Sequence, residues 1–206
     1  MKYYNITINQ FCDFATKNSI QRYHSAQNIY KQITSDYDTK IDYWAKLRNR
    51  IKHVLSTTGM AQDLDGLEDE VPQDRKDNYL TMVSALKKFW GKKKFESVEA
   101  VSKKWRHGKV CINVLPQLCY AYRGKVHIVD MYLKIHDEDK LDRRKADLIL
   151  QIMHDALKLD EDVILELLDV ARHRIYAYRD SNAVALSTLI EVEAEELGNI
   201  LSKLGK

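Results

Sequence analysis

The chain has 206 residues, 45% of them hydrophobic and 31% charged with both signs interspersed, enough to bury a sizeable core as one large domain or two small ones. Met1 to Asn5 leads into polar sequence with no apolar run of signal-peptide type, and no stretch nears the ~20 apolar residues of a membrane helix. Export and membrane insertion are therefore not expected, and a cytoplasmic protein is. Cys12, Cys111 and Cys119 are odd in number and lack a Cys-x-x-Cys pair, which argues against a disulfide framework and against a zinc site.

Helical spacing dominates the first ninety residues. Thr7 and Gln10 fit a capping box ahead of Phe11, Cys12, Phe14 and Ala15, predicting a short amphipathic helix that ends near Asn18. Ser19 then caps a second helix carrying Tyr23, Ala26, Ile29, Tyr30 and Ile33. A third is expected from about Asp38, with Ile41, Trp44, Arg48, Ile51 and Leu55 in one sector, stopping before Gly59. Residues 62–77 are acidic and hold Gly66 and Pro72, so they read as a loop. Asp77 or Asn78 caps a fourth helix through Tyr79, Met82, Val83, Leu86 and Trp90, and Gly91 supplies its stop.

Beyond Lys109 the period falls to two. Val110–Val114, Leu118–Tyr122 and the run from His127 to Ile135 predict a three-strand meander, with Arg123-Gly124 as a hairpin turn. Asp142 caps a helix of about four turns. Residues 161–179 admit a helix through Val163, Leu167 and Ala171. The alternating Tyr176-Ala177-Tyr178-Arg179 favours instead a hairpin of 163–170 and 174–179 turning at Arg172-His173. A last helix starts at about Asn182 and carries an acidic face of Glu191, Glu193, Glu195 and Glu196. The expected fold class is α+β: a helical region, 1–90, a basic connector, 91–108, and an α+β region, 109–206, whose small mixed sheet is flanked by helices.

Charge is concentrated in one place. Lys87 to Lys109 holds nine Lys/Arg against two acids, an excess of seven in a protein whose net charge is +3. Residues 1–109 carry net +7 and 110–206 net −4, so a polyanion partner and docking of one half on the other both fit. Phe89, Trp90, Phe95 and Trp105 punctuate the basic run. Cations interleaved with flat rings suit a phosphate backbone with stacked bases, and equally a snorkelling surface. Lys87, Lys88, Trp90, Lys92, Lys93, Lys94, Lys103, Lys104, Trp105 and Arg106 are the candidate nucleic-acid-binding residues.

Two family resemblances add chemistry. Arg48-Asn49-Arg50-Ile51-Lys52-His53 resembles the Arg-polar-x-x-x-His signature of HEPN-family ribonucleases. The resemblance implies metal-independent RNA cleavage through the 2′-hydroxyl, with His53 as acid or base, Arg48 stabilising phosphate charge and Asn49 orienting the site. Five residues advance roughly 500° in a helix, so Arg48 and His53 point about 140° apart. Convergence requires a kink, a helix start at Arg48 or a second subunit. A snorkelling arginine and a solvent-facing histidine form the plainer reading.

The order α-β-β-β-α-β over about residues 79–180 resembles PD-(D/E)XK nucleases, which need carboxylates and a lysine around a divalent metal. Asp130 and Lys134 lie roughly 13 Å apart along a strand, and Glu138-Asp139-Lys140 has the right spacing but sits beyond it. No metal site and no cofactor are assigned. His154-Asp155, and His127 with His136, Asp137 and Asp139, are weaker metal candidates that read better as a polar helix flank and a solvated turn. The layout also resembles bacterial or phage proteins of unassigned activity.

The sequence therefore predicts a nucleic-acid-interacting protein, RNA favoured, whose boldest version is a HEPN-like ribonuclease. The alternative is a non-enzymatic interaction or structural accessory protein that binds a protein partner or forms a homodimer.

Overall fold

The computed structural model describes residues 3–35, 42–136 and 140–205. In chain order these form β1 (Tyr4–Ile6), α1 (Ile8–Ala15), α2 (Ser19–Thr34), α3 (Ala45–Thr57), α4 (Lys76–Trp90), β2 (Glu96–Ser97), β3 (Lys103–His107) and β4 (Val110–Val114). They continue with β5 (Leu118–Tyr122), β6 (Lys125–Tyr132), α5 (Arg143–Leu157), β7 (Ile164–Asp169), β8 (Arg174–Ala177) and α6 (Ala183–Leu204). The class is α+β, as expected.

The capping box forms: the Gln10 amide donates to Thr7 Oγ1 at 3.1 Å, and the Thr7 amide donates to Gln10 Oε1 at 2.8 Å. Asn18, rather than Ser19, caps α2 by accepting from the Gln21 amide. The expected start of the third helix at Asp38 and Ile41 lies outside the described residues, and α3 itself begins at Ala45. The acidic loop is wound into 3-10 turns at Ala61–Leu64, Leu67–Glu70 and Gln73–Arg75. The last of these leads into α4 at Lys76 without a side-chain cap, so neither Asp77 nor Asn78 has the role expected of it.

Two sheets replace the expected meander. One has the order β1-β4-β3, with β1 parallel and β3 antiparallel to β4. The other runs β2-β5-β6-β7-β8. β4 and β5, consecutive in sequence, therefore belong to different sheets. Pro116 stands between them, and its missing N–H makes it a natural point for leaving a ladder. The hairpin at 123–124 and the hairpin of β7 with β8 both form as read, with Arg123, Gly124 and His173 all at positive φ.

The five-stranded sheet is buried on both faces. Cys119, Ile128, Tyr132, Leu165 and Leu167 point into a cluster with α1, α2, α5, α6 and the three-stranded sheet. Leu118, Tyr120, Val129, Met131 and Leu168 point the other way, into a cluster with α3 and α4. The period-two alternation thus feeds two cores rather than one core and solvent. The opposite charges of the two halves are partly spent inside the fold. Arg22 of α2 bonds Glu193 and Glu196 of α6, and His107 of β3 meets Glu191 and Glu195.

Candidate nucleic-acid interface

The basic segment from Lys87 to Lys109 holds the end of α4, β2 and β3. Three of its four aromatic residues are core, and Phe89 is half-buried. Trp90 is 0% exposed, Phe95 2% and Trp105 8%, with Trp90 and Phe95 in the α3/α4 cluster and Trp105 in the other. The Trp90 and Trp105 rings are therefore closed to bases, and the expectation that they stack on nucleic acid is corrected. Large apolar rings gain more from two hydrophobic clusters than from solvent-facing positions between lysines.

One carbonyl fixes the loop that carries the lysine run. Gly59, just after α3, accepts the Trp90 indole N–H at 3.1 Å and the Phe95 amide at 3.0 Å. Gly59 sits at φ +66°, and a Cβ there would lie 2.1 Å from the Phe95 carbonyl oxygen. Only glycine fits that approach. Residues 91–94 are held at both ends, with Gly91 at φ 62° turning the chain out of α4.

Within that loop the three lysines differ. Lys93 folds back over Phe89, Phe95 and Tyr122, its Nζ 5.1, 5.6 and 5.9 Å from their ring centroids. Lys92 and Lys94 are exposed. β2 pairs with β5, Glu96 opposite Ala121, which brings the loop alongside the β5–β6 turn. That turn contributes Arg123, whose guanidinium lies 5.2 Å from the Tyr122 centroid, and Lys125, opposite Tyr122 in the ladder. Lys92, Lys93, Lys94, Arg123 and Lys125 thus share one corner of the sheet. Among the described residues, no carboxylate oxygen lies within 4 Å of their charged nitrogens, although Glu96 is exposed on β2 nearby. Arg123 and Lys125 were missed because they lie 29 or more residues from Lys94 in sequence.

The other predicted cations are placed differently. Lys87 pairs with Asp65 at 2.5 Å, and Lys88 is exposed on the last turn of α4. Lys103, Lys104 and Arg106 lie exposed on β3, in the other sheet. Lys104 and Arg106 line a groove that also contains Asp155, Lys158, Ser187 and Glu191, so carboxylates stand among these cations.

Arg48, Asn49 and His53 do not converge within the chain. α3 is a continuous helix, Arg48 forms an ion pair with Asp42, and Asn49 and His53 are exposed. The five-residue separation leaves the arginine and histidine about 140° apart around the axis.

Buried acid chemistry lies elsewhere. Burial pushes the Asp130 carboxyl up to about 7, against the opposing effects of the Met131 amide and the Arg48 charge, and its Oδ1 has no hydrogen-bond partner among the described residues. Burial also raises the Asp169 carboxyl, opposed by Arg172. Lys145, 8% exposed, bonds Asp13 and the Tyr132 hydroxyl; burial works to lower its pKa, and these bonds outweigh it. Lys134 lies past the end of β6. Among the described residues no group of three or more His, Cys, Asp or Glu side chains is arranged to hold a metal ion. Glu138 and Asp139, named with Lys140 above, lie outside those residues, as does Asp137. His154 stacks on Tyr178 with centroids 4.2 Å apart, and His127 bonds Glu166 at 3.0 Å. No helix among the described residues is long and apolar enough to cross a membrane.

No protein-family model and no curated protein matches the chain. Among solved structures, a protein from Eubacterium rectale bearing the name "Putative exonuclease" matches over 98% of this chain and 82% of its own, at 9% identity and a TM-score of 0.49. Similarity at that level assigns neither a family nor an activity.

Proposed function

We propose that the chain binds nucleic acid through the corner formed by Lys92, Lys93, Lys94, Arg123 and Lys125. One observation carries the reading: two segments distant in sequence deliver their cations to the same corner, with no carboxylate partner among the described residues. Holding several exposed charges of the same sign at one corner costs energy through self-repulsion, and an external polyanion relieves that cost. Phosphates supply the complementary charge, and releasing their counterions drives association.

The ribonuclease version requires Arg48 and His53 from two chains, because α3 separates them within one. The binding reading does not depend on it, and no cleavage step is assigned. An electrophoretic mobility shift with labelled RNA and DNA tests the proposal. Lys92→Glu, Lys94→Glu and Arg123→Glu together should abolish the shift while leaving the melting temperature close to that of the parent, since all three are surface positions. Undiminished binding by the triple variant would remove the corner as the interface.

A further inference from the structure

We infer that the ligand class is double-stranded nucleic acid, read through its phosphate backbone without regard to sequence. This inference rests on the binding reading above and sharpens it. Proteins that hold single strands without sequence preference combine a cationic groove with aromatic faces on which bases stack, and that stacking supplies much of their affinity. The corner has the cations and lacks the faces. Trp90 and Phe95 are inside the core, Phe95 lying between Trp90 and Tyr120 at centroid distances of 4.8 and 3.8 Å. Phe89 is half-buried and capped by Lys93. Tyr122, the ring nearest the turn, is covered by both Lys93 and Arg123. The π-faces that flank the lysines are thus occupied by the protein's own cations.

Without stacking, attraction comes from phosphate charge, and a duplex presents one negative charge per roughly 1.7 Å of axis, about twice the density of one strand. The corner also suits a rigid ligand. Its lysine loop is clamped at Gly59 and its turn is a tight two-residue hairpin, so the cations are spread over a fixed surface rather than a flexible tail. The corner offers no Asn or Gln for reading adenine, and Arg123, the side chain able to read guanine, is laid over the Tyr122 ring at 5.2 Å, so the contacts inferred are to phosphate and carry no sequence information.

The test is fluorescence anisotropy of the full chain with one labelled strand, free and annealed to its complement, over a salt series, beside vesicles containing an anionic phospholipid. Duplex should bind at least about tenfold more tightly than single strand. With four or five phosphates neutralised, duplex affinity should fall by about 150-fold to 500-fold as salt rises from about 50 to about 200 mM. Two duplexes of unrelated sequence should bind within about twofold of each other. Equal or tighter binding of the single strand would overturn this inference and leave the binding reading standing. Binding of neither, or of the vesicles alone, would overturn both.

Discussion

Arg22 of α2 donates to Glu193 of α6 at 2.7 Å, and the glutamate is 6% exposed. This contact joins the cationic first half of the chain to the acidic second half. Arg22 also bonds Glu196 and the carbonyls of Ala15 and Lys17, so a single guanidinium ties α1, α2 and α6 together.

Arg22→Ala should therefore cost about 2–3 kcal/mol, because it leaves Glu193 buried without its cation. Urea unfolding of the single variant, of Glu193→Gln and of the pair measures it. The double variant should be less destabilised than the sum of the two singles. Full additivity would show that the contact contributes nothing.

The clamp at Gly59 should be intolerant of any side chain. Gly59→Ala places a Cβ on the Phe95 carbonyl and demands positive φ of alanine, so it should cost more than about 2 kcal/mol. Phe95→Ala, which empties the space between Trp90 and Tyr120, should cost about 3–5 kcal/mol. Both are read from denaturant midpoints.

Asp130 gives the fold a pH dependence whose direction follows from its burial. Its carboxyl titrates at about 7 in the folded chain and near its ordinary value when unfolded. Between those values the unfolded state releases the proton and the folded state keeps it, so stability falls as pH rises from about 4 to about 7, by a few kcal/mol. Asp130→Asn, which cannot ionise, should remove that slope and be more stable than the parent at pH 8. Superimposable stability curves for parent and variant from pH 4 to pH 8 would contradict the assignment.

Lys103, Lys104 and Arg106 should matter less for nucleic acid than the corner cations, since Asp155 and Glu191 line the groove with Lys104 and Arg106. Reversing all three to Glu should weaken duplex binding by no more than about tenfold, against loss of detectable binding for the corner variant. Titration of both variants at one salt concentration checks the ranking.

Local signals in the chain settled a good deal. Thr7 with Gln10, Asp142, Arg123-Gly124 and the Tyr176-Ala177-Tyr178 alternation each encode their structure within a few residues. Capping, turn conformation and strand period act at that range, and the elements they specify are present. Alternating apolar residues in β4, β5 and β6 also announced strands. Only the assembled molecule decided which sheet each strand joined. β1 has three residues, too few for a period, and exists because Tyr4 to Ile6 can pair with β4 more than a hundred residues away.

The same distinction governs the candidate interface. The excess of cations between Lys87 and Lys109 is a property of the sequence, and so are its rings. Whether a ring faces water or the core depends on what packs against it, and Trp90, Phe95 and Trp105 are taken up by residues as remote as Ile51, Tyr120 and Phe11. Arg123 and Lys125 join Lys92–Lys94 through a ladder between β2 and β5 that no local pattern announces, because strand pairing is a long-range choice set by which apolar faces can be buried together.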